Sequence, residues 1–249
     1  AALQAYAKSA SAEGAQLAEE LLERTISLYR EGKMYAKPTV LFYNAVIDAH
    51  ARSNGGATAA ERAEVLLDEM EAKSRAGDAS LQPNTRSFNA AILAWKNSNS
   101  TDAPCRAEAL LKRMNERYKS GDNDCRPDRV TINSIIAVWA KSSDPKGPRR
   151  AAGFLEFMES LYRQGEENFC PDQYTFNTCI DAYARRGDGH GAQSLFERMQ
   201  KLARKDPSLK PSLITLTSLQ TAWNRNPQTH EAAQHLPAIQ ALVAEYQRK

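Results

Sequence analysis

The chain has 249 residues, 42% apolar and 25% charged, which is the composition of an ordinary folded protein and excludes a disordered one. A formal net charge of +3 permits a nucleic-acid partner without arguing for one. No apolar run approaches the ~18 residues of a membrane span, and Cys105, Cys125, Cys170 and Cys179 form no C-x-x-C pair with histidines at zinc spacing, so they are read as free thiols of a reducing compartment.

The chain opens at "AALQAYAKS", which reads as the middle of a helix and predicts a segment of a longer protein. A block "LLERT" and a closing "REG" come next, ending at Gly32. From Pro38 the text repeats. Stretches beginning at Pro38, Pro83, Pro127, Pro171 and Pro211 lie 45, 44, 44 and 40 residues apart, a period that signals a helical-repeat array. In each copy, apolar residues at helical spacing, as in "FYNAVIDAHA" or "TFNTCIDAYA", predict a first helix of about 12 residues. A second helix carries "LLDEM", "LLKRM", "FLEFM" or "LFERM" and stops at Gly77, Gly121 or Gly165, where glycine suits a left-handed helix end and a basic residue two places earlier suits the negative pole.

A lone hairpin cannot bury its apolar faces, whereas stacked neighbours bury each other's. The pattern therefore predicts an all-α fold, a right-handed superhelical α-solenoid of helix-turn-helix hairpins. Its expected divisions are a truncated first repeat at 1–39, repeats at 40–84, 85–128, 129–172 and 173–212, and a final partial or capping repeat at 213–249.

Three series recur within the first helices. Six residues after each proline stand Asn44, Asn89, Asn133 and Asn177, with Thr217 in the last copy. Six residues later comes a ring, Tyr6 in the truncated copy and then His50, Trp95, Trp139, Tyr183 and Trp223, on a different helical face and expected to pack in the core. Eight residues after the asparagine position come Arg52, Asn97, Lys141, Arg185 and Arg225, a row suited either to phosphate or to the helix C-terminal pole.

The "YN" or "FN" opening, the "LFERM"-like second helix and the closing "QPN", "RPD" or "KPS" resemble the pentatricopeptide repeat. The tetratricopeptide repeat, of period 34 with W-x-x-L-G, does not fit. Repeats of 40 to 45 exceed the usual length of this family; the gap from Met70, Met114 and Met158 to the next proline is 13, and 12 from Met199, which predicts a second helix lengthened by more than a turn. The resemblance implies single-stranded RNA binding in a mitochondrion or chloroplast, one base per repeat. Carried over residue by residue, the base-reading pairs are Asn44 with Asn84, Asn89 with Asp128, Asn133 with Asp172, and Asn177 with Ser212, which imply a C-U-U-C core. The base-sandwiching residues are Leu41, Arg86, Val130, Tyr174 and Ile214, of which Arg86 departs from the usual aliphatic. Arg52, Lys141, Arg185 and Arg225 are the expected phosphate contacts. Ribonucleoprotein proteins are further expected partners, and a protein-docking scaffold is the alternative function.

No catalytic chemistry is expected within the chain, and no cofactor or metal. "HEAAQH" places His230 and His235 five apart, which does not put both on one face. "GDGHG" at 187–191 lacks the strand and the Lys-Ser/Thr ending of a phosphate loop and reads as an interhelical turn. Pro237, inside the last helical pattern, predicts a break or kink near His235.

Overall fold

The structure, a computed structural model, describes residues 5–6, 9–35 and 37–247. The helix expected over "AALQAYAKS" lies largely outside the described residues. Among the described residues the chain is all-helical, a succession of helical hairpins packed on their neighbours. It divides into two compact units, 1–138 and 139–249. The first holds α1 (Ala12–Arg30), α2 (Val40–Arg52), α3 (Gly56–Arg75), α4 (Thr85–Asn97), α5 (Ala103–Lys119) and most of α6 (Arg129–Lys141). The second holds α7 (Gly147–Arg163), α8 (Gln173–Arg186), α9 (Gly189–Ala203), α10 (Leu213–Asn224) and α11 (His230–Gln247).

Within the first unit, α2 packs on the preceding second helix α1, on its own partner α3 and on the next first helix α4. In the second, α8 packs likewise on α7, α9 and α10. First helices are thus covered by three neighbours, and their buried residues reflect it: Tyr43, Val46 and Ile47 in α2, Phe88, Ala91 and Ile92 in α4, and Phe176, Cys179 and Ile180 in α8. Second helices open with small residues, such as Ala59, Ala60 and Ala63 or Ala103 and Ala107, all buried, which let the hairpin close tightly.

The second helices stop where the sequence predicts. After Arg30, Arg75, Lys119 and Arg163 the chain turns at Gly32, Gly77, Gly121 and Gly165, with φ of +69, +101, +101 and +94°, a conformation that costs glycine least. "EAKSR" and "NERYK" are helical, as expected of a lengthened second helix. The connectors are more ordered than the pattern suggests. Three-residue 3-10 turns at Ala79–Leu81, Asn123–Cys125, Glu167–Phe169 and Pro207–Leu209 precede Pro83, Pro127, Pro171 and Pro211, and each buries its last side chain. The connector is pinned, not loose. Thr85 Oγ1 lies 2.7 Å from the Arg126 carbonyl, and Gln173 Nε2 donates to the Lys210 carbonyl at 2.7 Å, so the start of one first helix holds the next connector.

The ring series is mostly core: His50, Trp95, Trp139 and Trp223 are buried, while Tyr6 and Tyr183 are half-buried. Carboxylates on second helices tie these rings to the next hairpin. Glu64 accepts from Trp95 Nε1 at 2.8 Å and lies 3.7 Å from both Arg106 and Arg113. Glu19 repeats the arrangement with His50 Nε2 at 3.0 Å and with Arg62. In the second unit Arg198 bonds Glu159 at 2.8 Å and Glu156 at 3.2 Å. The "GDGHG" glycines serve packing: Gly187 caps α8 at φ +70°, and a Cβ on Gly189 or Gly191 would lie 2.4 Å from the Trp223 ring or 2.3 Å from the Tyr183 ring.

Two thiols belong to the core. Burial pushes Cys125 up to about 11 against the pull of Arg117, and burial pushes Cys179 up to about 12. All four cysteines are free. No helix among the described residues is long and apolar enough to cross a membrane, and no cluster of their side chains could hold a metal ion.

The break expected at Pro237, near His235, does not occur: α11 runs unbroken from His230 to Gln247 with the proline inside it. The proline forfeits one backbone bond to residue 233. Packing on both sides of it compensates: Ala232, Ile239 and Val243 are buried, and the His235 ring stacks on Trp223 with centroids 4.9 Å apart.

Removing the Glu64 carboxylate leaves the Trp95 indole N–H buried without an acceptor, which costs about 1–3 kcal/mol. Glu64→Ala is therefore expected to lower the unfolding free energy measured in urea by that amount, and adding Trp95→Phe to recover part of the loss, because the orphaned donor is then gone.

Candidate functional site

Four first helices, α4, α6, α8 and α10, begin in the same way, whereas in α2 Thr39 follows Pro38 with extended backbone but makes no side-chain cap bond. In those four the proline is followed by a residue whose side chain caps the helix. Asn84 accepts from Ser87 N at 3.2 Å and Asp172 from Thr175 N at 2.9 Å, while the hydroxyl of Ser87 or Thr175 accepts from the cap's own N–H at 3.1 or 3.2 Å. Ser212 and Thr215 form the same reciprocal box, and Asp128 and Thr131 make the same bonds. The sequence carries this signal as proline, Asn/Asp/Ser, two residues, Ser/Thr. It is easily overlooked there, because the usual box has Glu or Gln at its third position.

Counting from such a fixed start places the site residues in equivalent positions. The sandwich residues are second in their helices, and the asparagines and Thr217 fifth. Leu41, Val130, Tyr174 and Ile214 are exposed, at 68, 58, 54 and 66%, which is unusual for large apolar side chains in a helix whose opposite face is core. Arg86 is exposed too, and Asp48 holds its guanidinium at 2.9 Å. Residues two and five are three apart and so share a helical face.

The two members of a pair come from successive first helices, and within each unit the fold brings them together. Asn89 Nδ2 donates to Asp128 Oδ1 at 3.2 Å, and Asn89 Oδ1 accepts from Thr131 Oγ1 at 2.7 Å. Asn44 Nδ2 donates to Asn84 Oδ1 at 3.4 Å. Asn177 Oδ1 accepts from Thr215 Oγ1 at 2.6 Å, and that hydroxyl lies 3.2 Å from Ser212 Oγ. Asn89 and Asn177 are half-buried, but Asn44 is only 1% exposed. Asn133 and Asp172 lie in different units, on α6 and at the start of α8. Thr217 Oγ1 bonds the Ile214 carbonyl of its own helix.

The expected phosphate row divides. Arg225 donates to the Arg185 carbonyl, and Arg185 itself is clasped by Asp181, with Nε at 2.9 Å. Asn97, at the equivalent position of α4, donates to the Ala51 carbonyl at 2.8 Å. Arg225 and Asn97 thus cap the end of the preceding first helix. Arg52 and Lys141 are exposed and make no hydrogen bond or ion pair among the described residues, which leaves their charges for a ligand.

The family model of the PPR repeat matches residues 174–202, which are the α8–α9 hairpin from Tyr174 through Asn177 and the "LFERM" block. No curated protein matches the chain.

Because the second member of each pair also caps a helix, it carries stability as well as chemistry. Ser212→Ala is expected to cost about 1 kcal/mol in urea unfolding, and Ser212→Asp to be close to neutral.

Proposed function

We propose that the chain binds single-stranded RNA, one base per hairpin, in the RNA metabolism of a mitochondrion or chloroplast. One observation carries this reading: an exposed apolar side chain recurs at the second position of the first helices, one turn from an asparagine bonded into the cap of the next. An exposed apolar side chain at this place offers a base a face to stack on, and the polar pair offers it an edge. The match to the PPR repeat at 174–202 supports an RNA ligand in general terms.

The chemistry suits pyrimidines. With Asn89 Nδ2 bonded to one carboxylate oxygen of Asp128, one amide proton and the other carboxylate oxygen are left. That donor and acceptor complement a carbonyl and N3–H of uracil. Asn84 spends its oxygen on Asn44 and Ser87, and its amide protons are left to donate to N3 of cytosine. With Asn133 and Asp172 taken as a second uracil pair, and Asn177 with Ser212 as a second cytosine pair, the core is 5′-CUUC-3′.

A protein-docking role is the second reading, favoured by Phe157 and Tyr162, which are 46 and 45% exposed on second helix α7. Ribonucleoprotein proteins would be the partners there.

Salt dependence and a base swap test the proposal. If Arg52 and Lys141 meet phosphates, replacing both with Ala lowers the slope of log K against log salt by about 1.4, at ~0.7 per contact on a single strand. Arg185→Ala and Arg225→Ala, whose guanidinia are engaged, should change stability more than slope. In fluorescence-anisotropy titrations a strand containing CUUC should bind more tightly than one containing GAAG. Asp128→Asn, which keeps a capping side chain, should move the preference at the second base from U toward C and leave the other bases alone. Equal binding of CUUC and GAAG would reject the base reading, and no binding at low salt would favour the docking role.

A further inference from the structure

The amide of Asn89 has only one orientation that satisfies its neighbours. A carboxylate can only accept, so the side of the amide facing Asp128 Oδ1 must be the N–H side. Its carbonyl therefore faces Thr131, whose hydroxyl donates to it at 2.7 Å. The same threonine fixes the cap, since Thr131 N donates to Asp128 Oδ1 at 2.8 Å. One side chain orders the helix start and both members of the pair. In the second unit Thr215 repeats this, with its hydroxyl on Asn177 Oδ1 at 2.6 Å and its N–H on the Ser212 cap at 3.4 Å.

The first pair differs. Ser87 stands where the threonines stand, and it completes the cap: its Oγ lies 3.2 Å from Asn84 Oδ1 and accepts from Asn84 N. It makes no bond to Asn44. Asn44 Oδ1 is buried with no hydrogen-bond partner among the described residues, and its Nδ2 reaches Asn84 only at 3.4 Å. Thr131 Oγ1 also lies 2.9 Å from its own cap, Asp128 Oδ1, so its hydroxyl stands between cap and asparagine, whereas the Ser87 hydroxyl reaches its own cap alone. The slot accepts either side chain: Ser87, Thr131 and Thr215 are all fully buried.

We propose that the third residue of α4, α6 and α10 is a positioning residue that sets how strictly the preceding hairpin reads its base. Thr131 locks Asn89, Thr215 locks Asn177, and Ser87 leaves Asn44 unlocked. The consequence for binding rests on the RNA reading above; the lock itself does not. Asn44, buried and with its oxygen unpaired, presents a base neither a fixed donor nor a fixed acceptor, and so discriminates poorly. The locked hairpins are the strict readers, and the hairpin of Asn44 is the permissive one.

Thr131→Ser in the full chain separates the two roles of the residue, because Ser87 demonstrates that serine keeps the cap. Its effect is measured first without RNA, from the ordering of the Asn89 side-chain amide by 15N relaxation, with Asn177 as the internal reference. The amide of Asn89 is expected to become more mobile and that of Asn177 to stay as it was. The converse change, Ser87→Thr, should order Asn44 and raise the thermal midpoint by supplying a donor to its orphaned oxygen. The second measurement is competition binding with each of the four bases at one position. Thr131→Ser should reduce the preference for U at the second base about fivefold, the value of one hydrogen bond, with preferences elsewhere unchanged. Ser87→Thr should sharpen the preference at the first base. An Asn89 amide as ordered in Thr131→Ser as in the parent overturns the lock. A mobile Asn89 with an unchanged base profile overturns the role in specificity. A parent chain with no base preference at any position rejects the RNA reading and with it the role in specificity, while the relaxation data still decide the lock.

Discussion

The side chain that starts one first helix is also the partner of the asparagine on the helix before it. Asp128 accepts the N–H of Thr131 to begin α6 and accepts Asn89 Nδ2 from α4, both on the same oxygen. Helix start and ligand-facing pair are therefore a single polar junction, and neither can shift along its axis without breaking the other. Buried polar groups lose far more when left unpaired than they gain when paired. Apolar packing between hairpins is tolerant of small slides, but this junction is not. It fixes the register in which the second and fifth residues of successive helices line up.

The rest of the architecture holds that junction at constant spacing. On the far side, second helices are joined by carboxylate and arginine contacts such as Glu64 with Arg106 and Arg113, or Arg198 with Glu156 and Glu159. The chemistry of the two sides differs. Charge pairs at the edge are partly exposed and screened, and each contributes little. Glu64 and Glu19 differ, because they also meet a buried indole and a buried imidazole. Between the two layers lie the rings of the first helices, and at the C-terminal ends of those helices the Arg225 and Asn97 side chains satisfy carbonyls of the hairpin before.

The helices, their order and their ends were legible in the sequence because each rests on a local signal: proline before, glycine after, apolar residues at helical spacing between. The spatial meeting of Asn89 with Asp128 was legible only through the family resemblance, since nothing local states a contact between residues 39 apart. What was not legible depends on contacts across repeats. A row of arginines and lysines looks uniform in text, yet Arg225 is engaged by the hairpin before it while Arg52 and Lys141 are not engaged. The 3-10 turns were hidden because their apolar anchors, Leu81, Cys125, Phe169 and Leu209, are single residues without periodicity. Pro237 misled for the converse reason: a local rule was outweighed by burial of Ile239 and Val243 and by a ring stacked on Trp223.

The left-handed glycines at 32, 77, 121 and 165 each stand six residues before a proline, and so offer equivalent seams at which repeats could be duplicated or exchanged. A segment cut at Gly77, Gly121 or Gly165 carries its own 3-10 turn, cap and asparagine. It also carries the partner of the asparagine left behind, because the cap it brings meets the helix upstream. The unit of inheritance is thus offset from the unit of reading by one polar junction. An exchange at Gly121 would replace Asp128 and Thr131, and so would alter what Asn89 offers a ligand without touching the hairpin in which Asn89 resides.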